Sequence, residues 1–307
     1  MPARVSPPAK VAPPKVAGTE ECWATLDGHR LRYLRAGAGP PLLLLHGLLG
    51  YSFSWRFNFA ALGKLATLYA PDLLGMGFSD RPALDYGLRA SAQRVLRFLD
   101  ELGIGQADVL GTSHGGAVAL RLAALAAERG APRVRRLLLV APVNPWSPIK
   151  NPLVPFLRTP LGRFCLRRLG PRLAVLNDFV LRRLYGSISR LAPGTLAGYH
   201  AAARLPHTAD YVYAILDAWS ADLAELEREL PRLRSLPALL LWGDRDRAVS
   251  LRSAERLRAC FQRARLVVLS GVGHLPYEEV PEEFNRVIAD FLAAPSGETP
   301  APLSRVG

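Results

Sequence analysis

A buried-strand run that breaks at a glycine–serine turn and passes directly into an Ala/Leu-rich helix leaves a chain few folds to choose from. Here the run is Val109-Leu110, the turn is Gly111-Thr112-Ser113-His114-Gly115, and the helical stretch spans residues 117–127. The pattern is G-x-S-x-G, and strand, sharp turn and helix together are what a nucleophile elbow requires. Ser113 is therefore the candidate nucleophile, and Gly111 and Gly115 are small because strand and helix crowd together around it. Only Arg121 interrupts the apolar residues before Glu128, so the helix is expected to be buried on most sides.

The flanking chain alternates in the same manner. Residues 22–36 read as a hairpin turning at Asp27-Gly28. Leu42-Leu43-Leu44-Leu45 is a continuous apolar run suited to a parallel strand covered on both faces, and it ends in the small-residue loop His46-Gly47-Leu48-Leu49-Gly50. Spacing predicts helices over 57–66 and 91–102, and strands over 67–70, 108–110 and 134–140. From Val143 to about Ala221 the alternation stops, prolines and then arginines cluster, and the segments read as helical. Alternation resumes with a strand at 237–242, a helix at 251–261, a strand at 266–269 and a helix at 282–293. The fold class is thus α/β, a mostly parallel doubly wound sheet with one helical insertion. The expected division is a disordered Pro-rich tail at 1–18, a core at 19–142 and 222–293, a helical cap at 143–221 and a disordered tail at 294–307.

Charge is unevenly placed. Of the net +13, residues 150–205 hold +9, ten Lys/Arg against Asp178 alone; the first 18 residues hold +3, which leaves +1 for the rest. Cys22, Cys165 and Cys260 are far apart and odd in number, so neither a disulfide framework nor a zinc site is indicated, and a reducing cytoplasm is the expected location. The N-terminal stretch has no apolar run of a secretory signal, and no segment approaches the ~20 apolar residues that span a bilayer.

A serine hydroxyl becomes a useful nucleophile only when a base takes its proton and a further group orients that base. His274 lies on the Gly-rich loop Gly271-Val272-Gly273-His274-Leu275-Pro276 beyond the last strand, where loops gather over the crevice of a doubly wound sheet. His29 lies in the early hairpin, and His200 and His207 lie in the insertion. At His46 the backbone is expected to matter more than the ring. The strand at 237–242 ends in Gly243-Asp244-Arg245-Asp246, and either aspartate is placed to face the histidine. The resulting chain order, Ser, Asp, His, is the one expected when serine leads from an elbow.

These motifs, across roughly residues 22–293, make the chain resemble the α/β-hydrolase superfamily in its capped, single-domain branch of esterases, C–C hydrolases, proline iminopeptidases and cofactor-free haloperoxidases. The resemblance implies that His46–Gly50 is the oxyanion loop, with backbone N–H donors from Leu48 and His114. It implies that Asp72–Ser79 is a structural D-x-x-G-x-G-x-S turn, and that the acid is Asp246, because it completes G-x-x-D. Gly273-His274-x-Pro276, followed by Glu279 and Pro281, matches the histidine loop. At 114 relatives often carry Met, Leu or Gln, and here the backbone of His114 is expected to matter more than its ring. Serine rather than aspartate at 113 argues against the dehalogenase and epoxide-hydrolase branches, whose nucleophile is a carboxylate.

The implied activity is hydrolysis of a hydrophobic, medium or long acyl ester by Ser113, Asp246 and His274 through an acyl-enzyme, with no metal and no cofactor. C–C or amide hydrolysis by the same triad, a cofactor-free haloperoxidase-like reaction and a non-catalytic ligand-binding role are the alternatives. The insertion would form the lid, with Phe156, Phe164, Phe179, Tyr185, Tyr199, Tyr211 and Tyr213 available to line an apolar site. Its arginines admit a solvated face, attraction of anionic substrates, or peripheral docking on an anionic membrane; Arg163, Arg167 and Arg168 interleave with Phe164, Leu166 and Leu169. Nucleic acid is not an expected partner, because no recognised fold or aromatic–basic platform accompanies the charge.

Overall fold

The computed structural model describes residues 11–147, 156, 159–169, 174–294 and 304–306, without the side chains of 166–169, 174–177 and 304–306. Of the tails expected at 1–18 and 294–307, residues 1–10, 295–303 and 307 lie outside that description, as do the insertion positions Lys150, Arg158 and Arg172. Its sheet runs β1 (Glu20–Leu26), β2 (His29–Ala36), β4 (Thr67–Pro71), β3 (Pro41–Leu45), β5 (Ala107–Thr112), β6 (Val134–Val140), β7 (Ala238–Gly243), β8 (Ala264–Leu269) and β9 (Ser304–Val306) in spatial order. β2 is antiparallel to both β1 and β4, and every other neighbouring pair is parallel.

The helices explain why the central strands are apolar throughout. In chain order they are α1 (Phe59–Leu62), α2 (Leu88–Glu101), α3 (Ser113–Glu128), α4 (Pro160–Leu169), α5 (Ala174–Leu184), α6 (Thr195–Ala203), α7 (Thr208–Glu229), α8 (Ala254–Arg258), α9 (Pro276–Glu279) and α10 (Pro281–Ala293). Leu43 and Leu45 of β3 join the layer containing α2 and α3, whereas Leu42 and Leu44 join the layer containing Phe284, Ile288 and Phe291 of α10. Successive strand side chains point to opposite faces, so a strand covered on both sides needs an apolar residue at every position. Each fully buried leucine contributes about 1.5–3 kcal/mol relative to an exposed one. Arg121, the one charge within the apolar part of α3, is buried but pairs with Glu225 and Glu229 of α7.

Helices α4 to α7 all fall between β6 and β7, and α7 continues to Glu229, past the boundary expected at 221. Three stretches differ from the sequence reading. The helix expected over 57–66 is a single α-turn, α1, and a 3₁₀ turn at Ser52–Trp55 precedes it. Gly63 closes it, since the loop at Gly37 presses so near that a Cβ on Gly37 would lie 2.3 Å from the Gly63 carbonyl oxygen. The helix expected over 251–261 is a 3₁₀ turn at Leu251–Ser253 followed by the short α8. Residues 304–306, expected to be tail, pair with Val267–Leu269 at the edge of the sheet. Among the described residues, no helix is long and apolar enough to cross a membrane.

Candidate active site

The turn between β5 and α3 is built by close approach. A Cβ at Gly111 would lie 2.5 Å from the Gly115 carbonyl oxygen, and one at Gly115 would lie 2.3 Å from that of His46. Gly116 is equally confined, 2.5 Å from Pro142 Cβ. Within this crowding Ser113 has φ +52°, a left-handed conformation that costs a side-chain-bearing residue free energy and persists because packing on both sides holds it. The side chain is half-buried, and Gly47 lies against it: a Cβ there would be 3.1 Å from Ser113 Cβ.

The loop after β3 folds back on itself, Gly50 N–H donating to the Gly47 carbonyl at 3.0 Å, with Leu49 at φ +61°. Leu48 follows Gly47, the residue that lies against the elbow, while His114 is the second residue of α3, whose first amides have no acceptor within the helix. The His46 ring is more than a spectator. It is fully buried, its Nε2 accepts the Leu73 N–H at 3.0 Å, and its Nδ1 lies 2.9 Å from the Gly47 carbonyl. Burial lowers its pKa, and the neutral ring ties the loop after β3 to the Asp72 turn. In that turn Asp72 accepts hydrogen bonds from Ser52 N at 2.8 Å, Phe78 N at 2.9 Å and Arg32 Nη1 at 3.1 Å.

His274 is buried, and its Nδ1 lies 2.7 Å from Asp246 Oδ2. The other carboxylate oxygen of Asp246 accepts the Ala248 and Val249 amides at 2.7 and 2.9 Å, which fixes the plane of the carboxyl group. Asp244 does something different: its Oδ1 accepts the Gly271 N–H at 2.7 Å and so holds the base of the histidine loop. The other histidines stand apart from this pair. His29 starts β2, His200 Nε2 is 2.7 Å from Asp178, and His207 is 3.1 Å from Asp210.

The insertion is fastened to the same loop. His274 N–H donates to the Leu184 carbonyl at 2.7 Å, and Glu279 accepts both Gly273 N–H (2.7 Å) and Gly186 N–H (2.9 Å). Burial raises the Glu279 pKa despite these bonds. A second fastening was not legible in the chain: Glu278, wholly buried, accepts Arg56 Nη2 at 2.8 Å, Tyr185 Oη at 2.6 Å and Tyr199 Oη. Arg56 also donates to Thr195 Oγ1 at 2.8 Å, so core and insertion share one ionic cluster. Burial works against the Arg56 charge, yet attraction and hydrogen bonding from Glu278 together raise its pKa. Burial, and then the Glu278 charge, raise Tyr185 and Tyr199 well above the ordinary phenol range, which keeps both as donors. Among the described residues no group of three or more His, Cys, Asp or Glu side chains is arranged to hold a metal ion.

Residues 40–281 match the alpha/beta hydrolase fold family along most of the chain. The chain belongs to that family. Within the alpha/beta hydrolases it is 32% identical over 291 residues to haloalkane dehalogenase 2 of Mycobacterium bovis, covering 90% of this chain and 96% of the relative. It is 30% identical over 282 residues to 2-hydroxymuconate semialdehyde hydrolase of Pseudomonas sp., covering 87% and 91%. A solved membrane phospholipase A, described as a bacterial virulence factor, superposes with TM-score 0.68 at 27% identity, covering 90% and 86%. The α/β-hydrolase fold and a hydrolase family thus agree with the resemblance drawn from the motifs, and the relatives span different bonds cleaved.

Proposed function

We propose that this alpha/beta hydrolase cleaves a carboxylic ester with a hydrophobic, medium or long acyl group through an acyl-enzyme on Ser113. The observations that support the reading are the strained elbow serine at φ +52° and a buried histidine and aspartate 2.7 Å apart on loops that follow β8 and β7. Ser113 Oγ attacks the ester carbonyl as His274 Nε2 takes its proton, and the carbonyl electron pair moves onto the oxygen. The Leu48 and His114 N–H groups receive that oxyanion, and Asp246 holds the imidazole by Nδ1–H and stabilises it once charged. Collapse expels the alcohol, which takes the proton from His274, and water repeats the sequence on the acyl-enzyme.

Serine at 113 supports this reading over dehalogenation, which calls for a carboxylate there, in spite of the 32% identity to a haloalkane dehalogenase. C–C hydrolysis by the same three side chains is the second reading, favoured by the similarity to 2-hydroxymuconate semialdehyde hydrolase. The test is fluorophosphonate labelling with the adduct mapped by mass spectrometry, followed by an ester chain-length series and an assay on 2-hydroxymuconate semialdehyde. Labelling at Ser113 with the highest kcat/KM on acyl chains of six carbons or more is the expected result. Turnover of the semialdehyde alone would replace ester cleavage with C–C cleavage, and an adduct on another serine would remove Ser113 from the mechanism.

A further inference from the structure

Helix α5 is divided lengthwise, and its apolar residues fall on both sides. Asp178, Leu181 and Leu184 face the protein: Asp178 lies 2.7 Å from His200 Nε2 of α6, and both leucines pack against the layer that contains α10. At 3.6 residues per turn, Phe179, Val180, Arg182 and Arg183 fall on the opposite side, and all four are exposed. Phe179 is 60% exposed and Val180 46%, so a ring counted by sequence among those able to line an apolar site is turned outward instead. Ile188, in the 3₁₀ turn that follows, is 50% exposed. A surface helix ordinarily presents polar residues to water, and an exposed apolar face rimmed by charge marks a docking surface.

Charge selects the occupant. Against the ten Lys/Arg of residues 150–205 stands Asp178 alone, and it lies on the inner side with His200, so the outer face of α5 carries positive charge only. A second copy of the chain would bring like charge to the contact, and the first 18 residues, at +3, are repelled in the same way. Arg182 and Arg183 call for anions, and Phe179 and Val180 call for an apolar phase directly behind them. The surface of an anionic bilayer supplies both at that spacing. Arginine side chains reach the headgroup phosphates while their stems, and the phenylalanine ring, settle at the edge of the acyl chains.

We propose that the outer face of α5 docks this hydrolase on the surface of an anionic bilayer. Docking does not depend on which bond the enzyme cleaves. It places the contact close to the catalytic loop, because Leu184, the last residue of α5, accepts the His274 N–H at 2.7 Å. Phe179 stands about 7.5 Å along the helix from that residue.

The test is retention of the full chain by sucrose-loaded phosphatidylcholine vesicles with and without phosphatidylserine. Phosphatidylserine should raise retention about tenfold or more at low salt, and added salt should reverse much of that gain. Arg182→Gln with Arg183→Gln should lose most of the gain. Phe179→Ser with Val180→Ser should also lose most of it, although no charge is removed. All four side chains are exposed, and circular dichroism with a thermal melt checks that each variant folds as wild type does. Equal retention with and without phosphatidylserine overturns the docking. So does retention that falls with the arginines but not with Phe179 and Val180, which would describe pairing with anions and no apolar contact. Sedimentation velocity over a concentration series reads the rival occupant. A wild-type dimer that the Phe179→Ser, Val180→Ser change converts to monomer would assign the face to a second copy instead.

Discussion

Strand β3 buries Leu42 to Leu45 completely, while α4 and α5 leave Leu161, Phe164, Phe179 and Val180 between 46% and 63% exposed. Charge divides along the same line, +9 within residues 150–205 against +1 for everything outside that block and the first 18 residues. The core spends its apolar residues on a sheet covered on both faces; the insertion spends many of its own on its surface. The difference teaches where each kind of function resides. A rigid core suits atoms that must be held to tenths of an ångström, and a basic, apolar exterior suits contact with something outside the protein.

The sharpest break of this contrast is Ser113→Ala, which should leave folding intact and lower kcat by a factor on the order of 10⁶. Circular dichroism with steady-state kinetics reads both halves, and residual activity above one per cent would move the chemistry off the elbow. Next, Asp246→Asn should lower kcat by roughly 10⁴ through the wrong histidine tautomer. Asp244→Asn, at a carboxylate that accepts the Gly271 N–H, should cost far less; reversed magnitudes would exchange the roles of the two aspartates.

The joint between the regions is the third target. Arg56→Leu strands the buried Glu278 carboxylate, so denaturant unfolding should show a loss of about 3–5 kcal/mol. Arg56→Leu with Glu278→Leu should recover much of it, and a loss below 1 kcal/mol for the single change would mean that the cluster does not fasten the insertion. Acid should act on the core rather than the insertion. His114 is held near 3 in the fold against 6.5 unfolded, so its neutral form stabilises the fold above 6.5. That contribution is lost progressively as pH falls from 6.5 towards 3, on the order of 2 kcal/mol by pH 5, and His46 adds in the same direction. Urea melts at pH 7 and 5 should show a smaller drop for His114→Leu than for wild type, and equal drops would place the acid sensitivity elsewhere.

The smallest expected effect belongs to the basic exterior. Arg182 and Arg183 lie exposed beside Phe179 and Val180, and each arginine near an anionic bilayer contributes about 1 kcal/mol at low salt. Sedimentation with phosphatidylserine vesicles should retain the protein at low salt and release it at high salt, and Arg182→Gln with Arg183→Gln should weaken retention. Equal sedimentation with neutral vesicles leaves those arginines as a solvated face. Arg163, which interleaves with Phe164 in the chain, donates to Asp217 at 2.6 Å and is less available for such a role.

Much of this was legible because the informative signals are local. A strand covered on both faces announces itself in Leu42–Leu45, and the crowding at the elbow announces itself in Gly111, Gly115 and Gly116. His274 stood out on its Gly-rich loop, the strand end at Gly243 offered Asp244 and Asp246, the family resemblance favoured Asp246, and the chain brings Asp246 within 2.7 Å of His274. What escaped notice depends on distance along the chain. Arg56 and Glu278 lie 222 residues apart in sequence, and neither sits in a pattern that names the other. The stretch 57–66 has helical spacing, but the approach of Gly37 to Gly63 is a tertiary fact that local periodicity does not contain. The environment of the His114 ring is non-local in the same way, since Trp219, over a hundred positions later, stacks on it.

The contact of Leu184–Gly186 with the histidine loop limits how modular the insertion is. A Cβ on Gly186 would lie 2.5 Å from the Gly271 carbonyl, and one on Gly273 would lie 2.2 Å from that of Leu184. An exchange of insertions between relatives that cuts upstream of this segment would replace the strip of backbone against which the His274 backbone is seated. A transplant joined after Arg190, whose guanidinium still donates to Gly271 O at 2.9 Å, would leave that seat in place. The boundary that matters for recombination therefore lies inside the insertion, on the stretch that it lends to the core.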